Sequence, residues 1–244
     1  MDNRTIKTQI HQGGVGLITL ARPSKRNALS IQLLSELADQ LQAWSDEATV
    51  KSVVVTGEGS AFCAGFDTSE LTQPQLHREI ARTSGRYHRN LWYFPKPVVA
   101  AINGPALGGG FDLSTLCDLR IASNTANFGH PEVKLGVPPL FTPLRWLIGD
   151  GLARDLCLTG RRIDAGEALR IGLVSRILEP AVLTNEALQL CRSITESPTS
   201  CLRTTKRYLT GNVGLGFEDS FRVEHDDVFA ALISGQSASP GVPR

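Results

Sequence analysis

No stretch of the sequence approaches the roughly 18 consecutive apolar residues that a membrane span requires. The first 14 residues, MDNRTIKTQIHQGG, hold no apolar signal core, so the chain is expected to be soluble and cytoplasmic, with no membrane partner. Neither sign of charge is in excess: 25 Lys and Arg face 24 Asp and Glu, a formal net charge of +1. Basic residues gather only in short clusters, RPSKR at 22–26 and KRY at 206–208, and such a pattern does not predict a nucleic-acid partner. The cysteines Cys63, Cys117, Cys157, Cys191 and Cys201 are odd in number, form no CxxC pair and have no histidine at metal-ligand spacing. They read as reduced, mostly buried thiols, and no metal is expected. Linkers, low-complexity tracts and fixed-period repeats are all missing. What remains is ordinary globular composition, 41% hydrophobic and 20% charged over 244 residues, ample for one core.

Within that frame the pattern alternates. Strands are predicted at 15–22 (VGLITLAR), 51–57 (KSVVVTG), 97–102 (PVVAAI), 119–123 (LRIAS) and 173–178 (LVSRIL). Apolar residues three or four apart, Ile31, Leu34, Leu37, Leu41 and Trp44, predict an amphipathic helix over 29–47 that Ser30 caps. Residues 75–94 read as helix stopped by Pro95 and Pro97. FDLSTLCD reads as a short helix and LRWLIGDGLARDLCLTG as a longer one. The four prolines between 126 and 143 predict a loop. Asp164 and Glu167 match a capping box, and Gly172 suits the end of that helix. From Pro180 onward the pattern is helical.

Two glycine-rich loops follow buried strands: GEGSAFCAGFD at 57–67 and NGPALGGGFD at 103–112. Neither is a phosphate loop. A dinucleotide fingerprint needs glycine at 113, which is leucine, and a P-loop needs lysine at 110, which is glycine. GxSxG and HExxH are absent as well. Two readings of the triplet Gly108, Gly109 and Gly110 remain. One is close packing of strand on helix. The other is a ligand approaching unpaired first-turn amides with no Cβ in the way, a setting for a developing oxyanion. A second loop of the same kind could supply a second amide from another direction.

Five segments in order, RPSKRNALS (22–30), GEGSAFCAGFDTSEL (57–71), PVVAAINGPALGGGFDLSTLCDLRIAS (97–123), ANFGHPE (126–132) and LTGRRIDAGEALRIGLVSRI (158–177), resemble the crotonase, or enoyl-CoA hydratase/isomerase, family. The similarity runs from about residue 5 to 180 and more weakly to 230. It implies an α/β fold: a spiral of repeated ββα units over 1–180, then a helical trimerisation region over 181–233, with 234–244 expected as a disordered tail. It also implies an acyl-CoA thioester substrate, no cofactor beyond the CoA which that substrate carries, and a homotrimer or dimer of trimers. Phe217, Phe221 and Phe229 are expected to bury within or between subunits.

For the site, the resemblance implies that the main-chain amides of Phe66 and Gly109 hold the thioester oxygen. Hydration of a 2-enoyl thioester needs water at C3 and a proton at C2, work suited to two carboxylates. The matching positions are Asp112, one helical turn from the glycines, and Glu132, which ends GHPE. An isomerase would keep only the Glu132-type acid; a third reading is a non-catalytic binding protein on the same fold. Each acid also has a plain structural reading: Asp112 at a helix start meets the helix dipole, and Glu132 could be a solvated loop acid. Lys25 and Arg26 fall where the family contacts CoA phosphates, and Ala64 and Asp67 where its main chain meets the adenine. His130 reads as a structural loop histidine. Two segments depart from the family: LGVPPLFTPLRWL (135–147), with three prolines where hydratases carry a glycine-rich turn, and the short ending SGQSASPGVPR.

Overall fold

The computed structural model describes residues 4–229 and Ile233. The chain forms two compact units, Met1–Ser197 and Pro198–Arg244. The first unit runs β1 (Ile6–His11), β2 (Val15–Leu20), α1 (Ile31–Asp46), β3 (Ser52–Gly57), α2 (Thr68–Leu71), α3 (His77–Trp92), β4 (Val98–Ile102), β5 (Ala106–Leu107), α4 (Gly109–Thr115), β6 (Leu119–Ser123), β7 (Asn127–Gly129), α5 (Phe141–Thr159), β8 (Arg162–Asp164), α6 (Ala165–Arg170), β9 (Ile177–Leu178) and α7 (Pro180–Thr195). The larger sheet has the order β1-β2-β3-β4-β6-β9 and the smaller one β5-β7-β8. β1 and β2 form an antiparallel hairpin, and every later pairing in the larger sheet is parallel.

The parallel strands are apolar on both faces because helices cover both. Val53, Val55, Val98, Ala100 and Ile102 face the core they share with Leu34, Leu37, Leu41 and Tyr87 of α1 and α3. Val15, Val54, Val99 and Ile121 face Leu183, Ala187 and Cys191 of α7. The core boundary expected at residue 180 thus sits ahead of a helix that belongs, by its packing, to the first unit.

Ser30 caps α1 as expected, its Oγ accepting the Leu33 amide at 3.2 Å. β1 had no signature in the sequence: it is an edge strand whose residues from Lys7 to Ile10 are exposed, and it exists through pairing with β2. The strand expected over 173–178 narrows to β9, and α5 breaks internally at Gly149, where φ is +79°. The segment 126–143, expected as loop, holds β7 and a 3-10 turn, Pro131–Leu135, before α5 begins.

The second unit contains α8 (Thr199–Gly211), α9 (Phe217–Phe221) and a π-helical stretch, Arg222–Phe229. Phe217, Phe221, His225 and Phe229 lie four residues apart and stack in sequence, with ring centroids 5.4, 4.7 and 5.4 Å apart. All three phenylalanines stand exposed within the chain, Phe217 by 79%. The tail expected at 234–244 lies outside the described residues. Among the described residues, no helix is long and apolar enough to cross a membrane.

Candidate active site

The first glycine loop is fixed from below by the turn that precedes α1. Asn27, buried and at φ +55°, donates to the carbonyls of Glu58 at 3.0 Å and Ala61 at 2.8 Å and accepts from the Arg22 amide at 3.0 Å. Leu29 then zips to the loop's end: its amide donates to Gly65 and its carbonyl accepts from Asp67, at 2.8 and 3.0 Å. A parallel bridge of this kind uses the groups of residues 65 and 67, so the amide of Phe66 between them points away from Leu29.

The second loop docks on the first. Cys63 exchanges hydrogen bonds with Pro105 and Leu107 at 3.1 and 3.0 Å. Gly110 lies against this contact so tightly that a Cβ would fall 2.2 Å from the Cys63 carbonyl oxygen, so only glycine fits. A Cβ on Gly65 would lie 3.5 Å from the Gly109 nitrogen, so the two loops meet where Phe66 and Gly109 follow. Gly109 opens α4, and its amide is one of the orphans of a helix start. Among the described residues, neither the Phe66 nor the Gly109 amide has a backbone acceptor. Both residues line a cleft of about 200 Å³ that Asp112 and Glu132 also line. Two adjacent unpaired donors at the edge of a low-dielectric cleft can stabilise a developing oxyanion.

Asp112, on α4, is 5% exposed, and Glu132 sits in the turn after β7. Between them lies His130, fully buried with its ring on Phe111, centroids 4.8 Å apart. Its Nδ1 is 2.9 Å from Glu132 Oε1, and its Nε2 is 3.7 Å from Asp112 Oδ1. Burial is the main reason the Asp112 carboxyl is pushed up to about 7; His130 opposes the rise, the Glu132 charge adds to it, and the Leu140 amide opposes it. A carboxyl held near neutrality in a cleft can act as an acid or a base under ordinary conditions.

Of the remaining expected positions, Ala64 also lines the cleft, whereas Lys25, Arg26 and Asp67 are not among its lining residues. Lys25 and Arg26 are exposed, and the Arg26 carbonyl accepts the Ala64 amide at 3.0 Å, which sets that turn beside the first loop. Asp67 has its side chain committed within the protein: it pairs with Arg22 at 2.8 Å and caps α2 through the Ser69 amide and hydroxyl at 3.1 and 2.6 Å. Burial alone would raise its carboxyl, but the hydrogen bonds from Ser69 and Arg22 outweigh burial and hold it below the usual range. Sequence reasoning missed Arg22 and Asn27 as the staples of the first loop, and His130 as the link between the acids.

A family model described as enoyl-CoA hydratase/isomerase matches residues 10–242. The chain belongs to the enoyl-CoA hydratase/isomerase family. It is 35% identical to a short-chain-enoyl-CoA hydratase of Clostridium acetobutylicum over 221 residues, covering 88% of this chain and 85% of the relative. It is 32% identical to the 2,3-dehydroadipyl-CoA hydratase of Escherichia coli over 234 residues, 95% and 91% of the two chains. The crystal structure of an enoyl-CoA hydratase from Bacillus anthracis superposes with a TM-score of 0.87 at 30% identity, covering 96% of this chain and 98% of the other. The fold is the crotonase α/β fold, and the chain is an enzyme of the hydratase kind.

Proposed function

We propose that this family member adds water across the 2,3 double bond of a 2-enoyl-CoA thioester. The observation that carries the proposal is the convergence, on one cleft, of two unpaired amides with two carboxyl groups. The thioester oxygen accepts from the Phe66 and Gly109 amides, which take up negative charge as the enolate forms. A donor of this kind is worth about 3–4 kcal/mol of barrier. Glu132 and Asp112 handle the proton of the attacking water and the proton at C2. An isomerase needs only Glu132; that Asp112 lines the same cleft favours hydration. The chemistry calls for no cofactor or metal, since the substrate brings its own CoA. Lys25 and Arg26 serve its phosphates, and the main chain at Ala64 and Asp67 its adenine. Leu71, Leu135, Val137 and Pro138 give the cleft an apolar wall suited to the acyl chain.

The exposed stripe of Phe217, Phe221 and Phe229 suits burial between copies of the chain, which supports a trimer or dimer of trimers. Sedimentation at micromolar concentration should give one of these two masses, and a monodisperse monomer would reject the assembly. For the reaction, a panel of 2-enoyl and 3-enoyl CoA esters is incubated with the enzyme and followed by absorbance and mass. Hydration of 2-enoyl esters raises the mass by one water. Products of unchanged mass from 3-enoyl esters, with no hydration, would establish the isomerase instead.

A further inference from the structure

The ionisable side chains of the cleft are all of one sign. Asp112 and Glu132 line it, and among the described residues no lysine, arginine or histidine does. The cations close by are placed otherwise. Arg22 pairs with Asp67 at 2.8 Å, and Lys134, next to Leu135 of the lining, stands exposed outside it. His130 is fully buried and does not line the cleft. Burial raises the Asp112 carboxyl to about 7, and the Glu132 charge adds to the rise. The site thus already disfavours two negative charges side by side, and a third brought in by a ligand would face both.

The rest of the wall is apolar and fixed in shape. Leu135 is 80% exposed and Val137 44%, and Pro138 is exposed beside them. Apolar groups gathered at the mouth of a cleft gain when a ligand covers them. The turn that carries them is closed by two amides: Gly136 donates to the Val133 carbonyl and Val137 to the Glu132 carbonyl, both at 3.1 Å. Gly136 is left-handed, at φ +84°, and Pro138 and Pro139 each lock their own φ. The proline segment that departs from the family therefore builds a preset apolar wall where a glycine-rich turn could adapt. Leu71, at the end of α2, lines the same cleft from the first-loop side.

We propose that this cleft selects an uncharged, apolar acyl chain and rejects one that ends in a carboxylate, and that Val137 is a specificity-determining residue of its wall. The proposal rests on the hydratase reading for the place of the acyl chain in this cleft. A terminal methyl lying along Val137 and Leu71 buries apolar surface. A terminal carboxylate there loses water, finds no cation to pair with and meets two acids; an unpaired charge so placed is heavily penalised. Val137 is singled out because its amide is bonded to the backbone of Glu132, so its place on the wall is fixed relative to an acid of the site.

The test compares 2-hexenoyl-CoA with its analogue in which the terminal methyl is replaced by a carboxylate. The wild type should hydrate the uncharged ester with a kcat/KM at least about a hundredfold higher. Two variants then probe the wall at a half-exposed position that either side chain can occupy without disturbing the core. Val137→Lys places a cation in the cleft and should raise the relative kcat/KM for the carboxylate ester at least about tenfold. Val137→Gln adds similar bulk without charge and should leave the ratio within about threefold of wild type. Comparable kcat/KM for the two esters in the wild type would overturn the selectivity. Equal effects of lysine and glutamine would overturn the assignment to Val137. Binding of hexanoyl-CoA and adipyl-CoA, which cannot be hydrated, is measured by calorimetry alongside. A protein that prefers hexanoyl-CoA but hydrates no 2-enoyl ester would uphold the selectivity and reject the hydratase reading; equal affinity for the two would reject the selectivity whatever the reaction.

Discussion

Gly108 faces the carboxylate of Glu132 so closely that a Cβ on it would lie 2.9 Å from Oε2 and 3.2 Å from the carboxyl carbon. The first glycine of the triplet therefore makes room for the acid itself. Its φ of +53° adds a backbone that an L side chain rarely adopts. Gly108→Ala should fold with a cost of about 1–3 kcal/mol, the usual range for such strain. Its main effect should be to push Glu132 off its station, with a loss of at least about a hundredfold in kcat, the scale of acid–base help. Urea unfolding and steady-state hydration measured together check this. A variant destabilised but fully active would show that Glu132 does not need that place.

Phe66 supplies its amide to the proposed oxyanion hole, while its ring lies over Gly109, where a Cβ would be 2.9 Å away. Phe66→Ala keeps the amide and removes the ring. Activity should persist within about tenfold, with acyl preference shifted and stability lower by about 1–3 kcal/mol for a half-buried aromatic. Relative kcat/KM across CoA esters of increasing chain length is the measurement. A loss as deep as that of an acid variant, in a folded protein, would contradict the main-chain role.

The ion pair of Arg22 with Asp67 ties the first loop to the turn before α1, and it makes stability depend on pH in a definite direction. The folded Asp67 carboxyl lies below its unfolded value, so its contribution is present above that value of 3.8 and is lost as pH falls through the folded one. Asp67→Asn should cost about 1.5–3 kcal/mol at pH 7, the range for hydrogen bonds to a charged group. The gap to wild type should close as the pH drops below 4. Thermal melts from pH 3 to 8 would show it, and a gap independent of pH would mean that the charge does not contribute.

Much of this was legible in the sequence because its causes are local. Ser30 caps the helix it precedes, and the glycine loops announce themselves by spacing. The capping box at Asp164 is half right: Asp164 accepts the Glu167 amide at 2.7 Å, but the Glu167 carboxylate turns to Arg161 instead, at 2.7 and 3.1 Å. What the sequence hid depends on tertiary partners. β1 is polar along most of its length and exists because β2 lies beside it. His130 looked like an isolated loop residue because Asp112 reaches it from another element, and no spacing rule links them. Arg22 and Asn27 sat inside a recognised segment, yet only the folded turn shows that they hold the first loop in place.

The two acids separate hydration from isomerisation. Glu132→Gln and Asp112→Asn each keep shape and remove one proton-transfer partner. If both serve hydration, each should lose at least about a hundredfold in kcat, within the usual 10²–10⁴ for general acid–base help. Groups that act as a unit are strongly non-additive, so the double variant should be little worse than the poorer single one. The glycine triplet is untouched in all three, so binding of a saturated acyl-CoA should survive, and calorimetry provides that control. The Asp112 variant should also be more stable than wild type above pH 7. A carboxyl raised to about 7 favours the folded state while protonated and loses that contribution as pH rises through 7, whereas an amide has no charge to bury. An isomerase relying on Glu132 alone would behave differently: Asp112→Asn would cost little, and Glu132→Gln would abolish proton transfer between C2 and C4. Hydration of a short 2-enoyl-CoA by wild type and the three variants decides the matter. Wild-type rates from Asp112→Asn would reject the two-carboxylate mechanism.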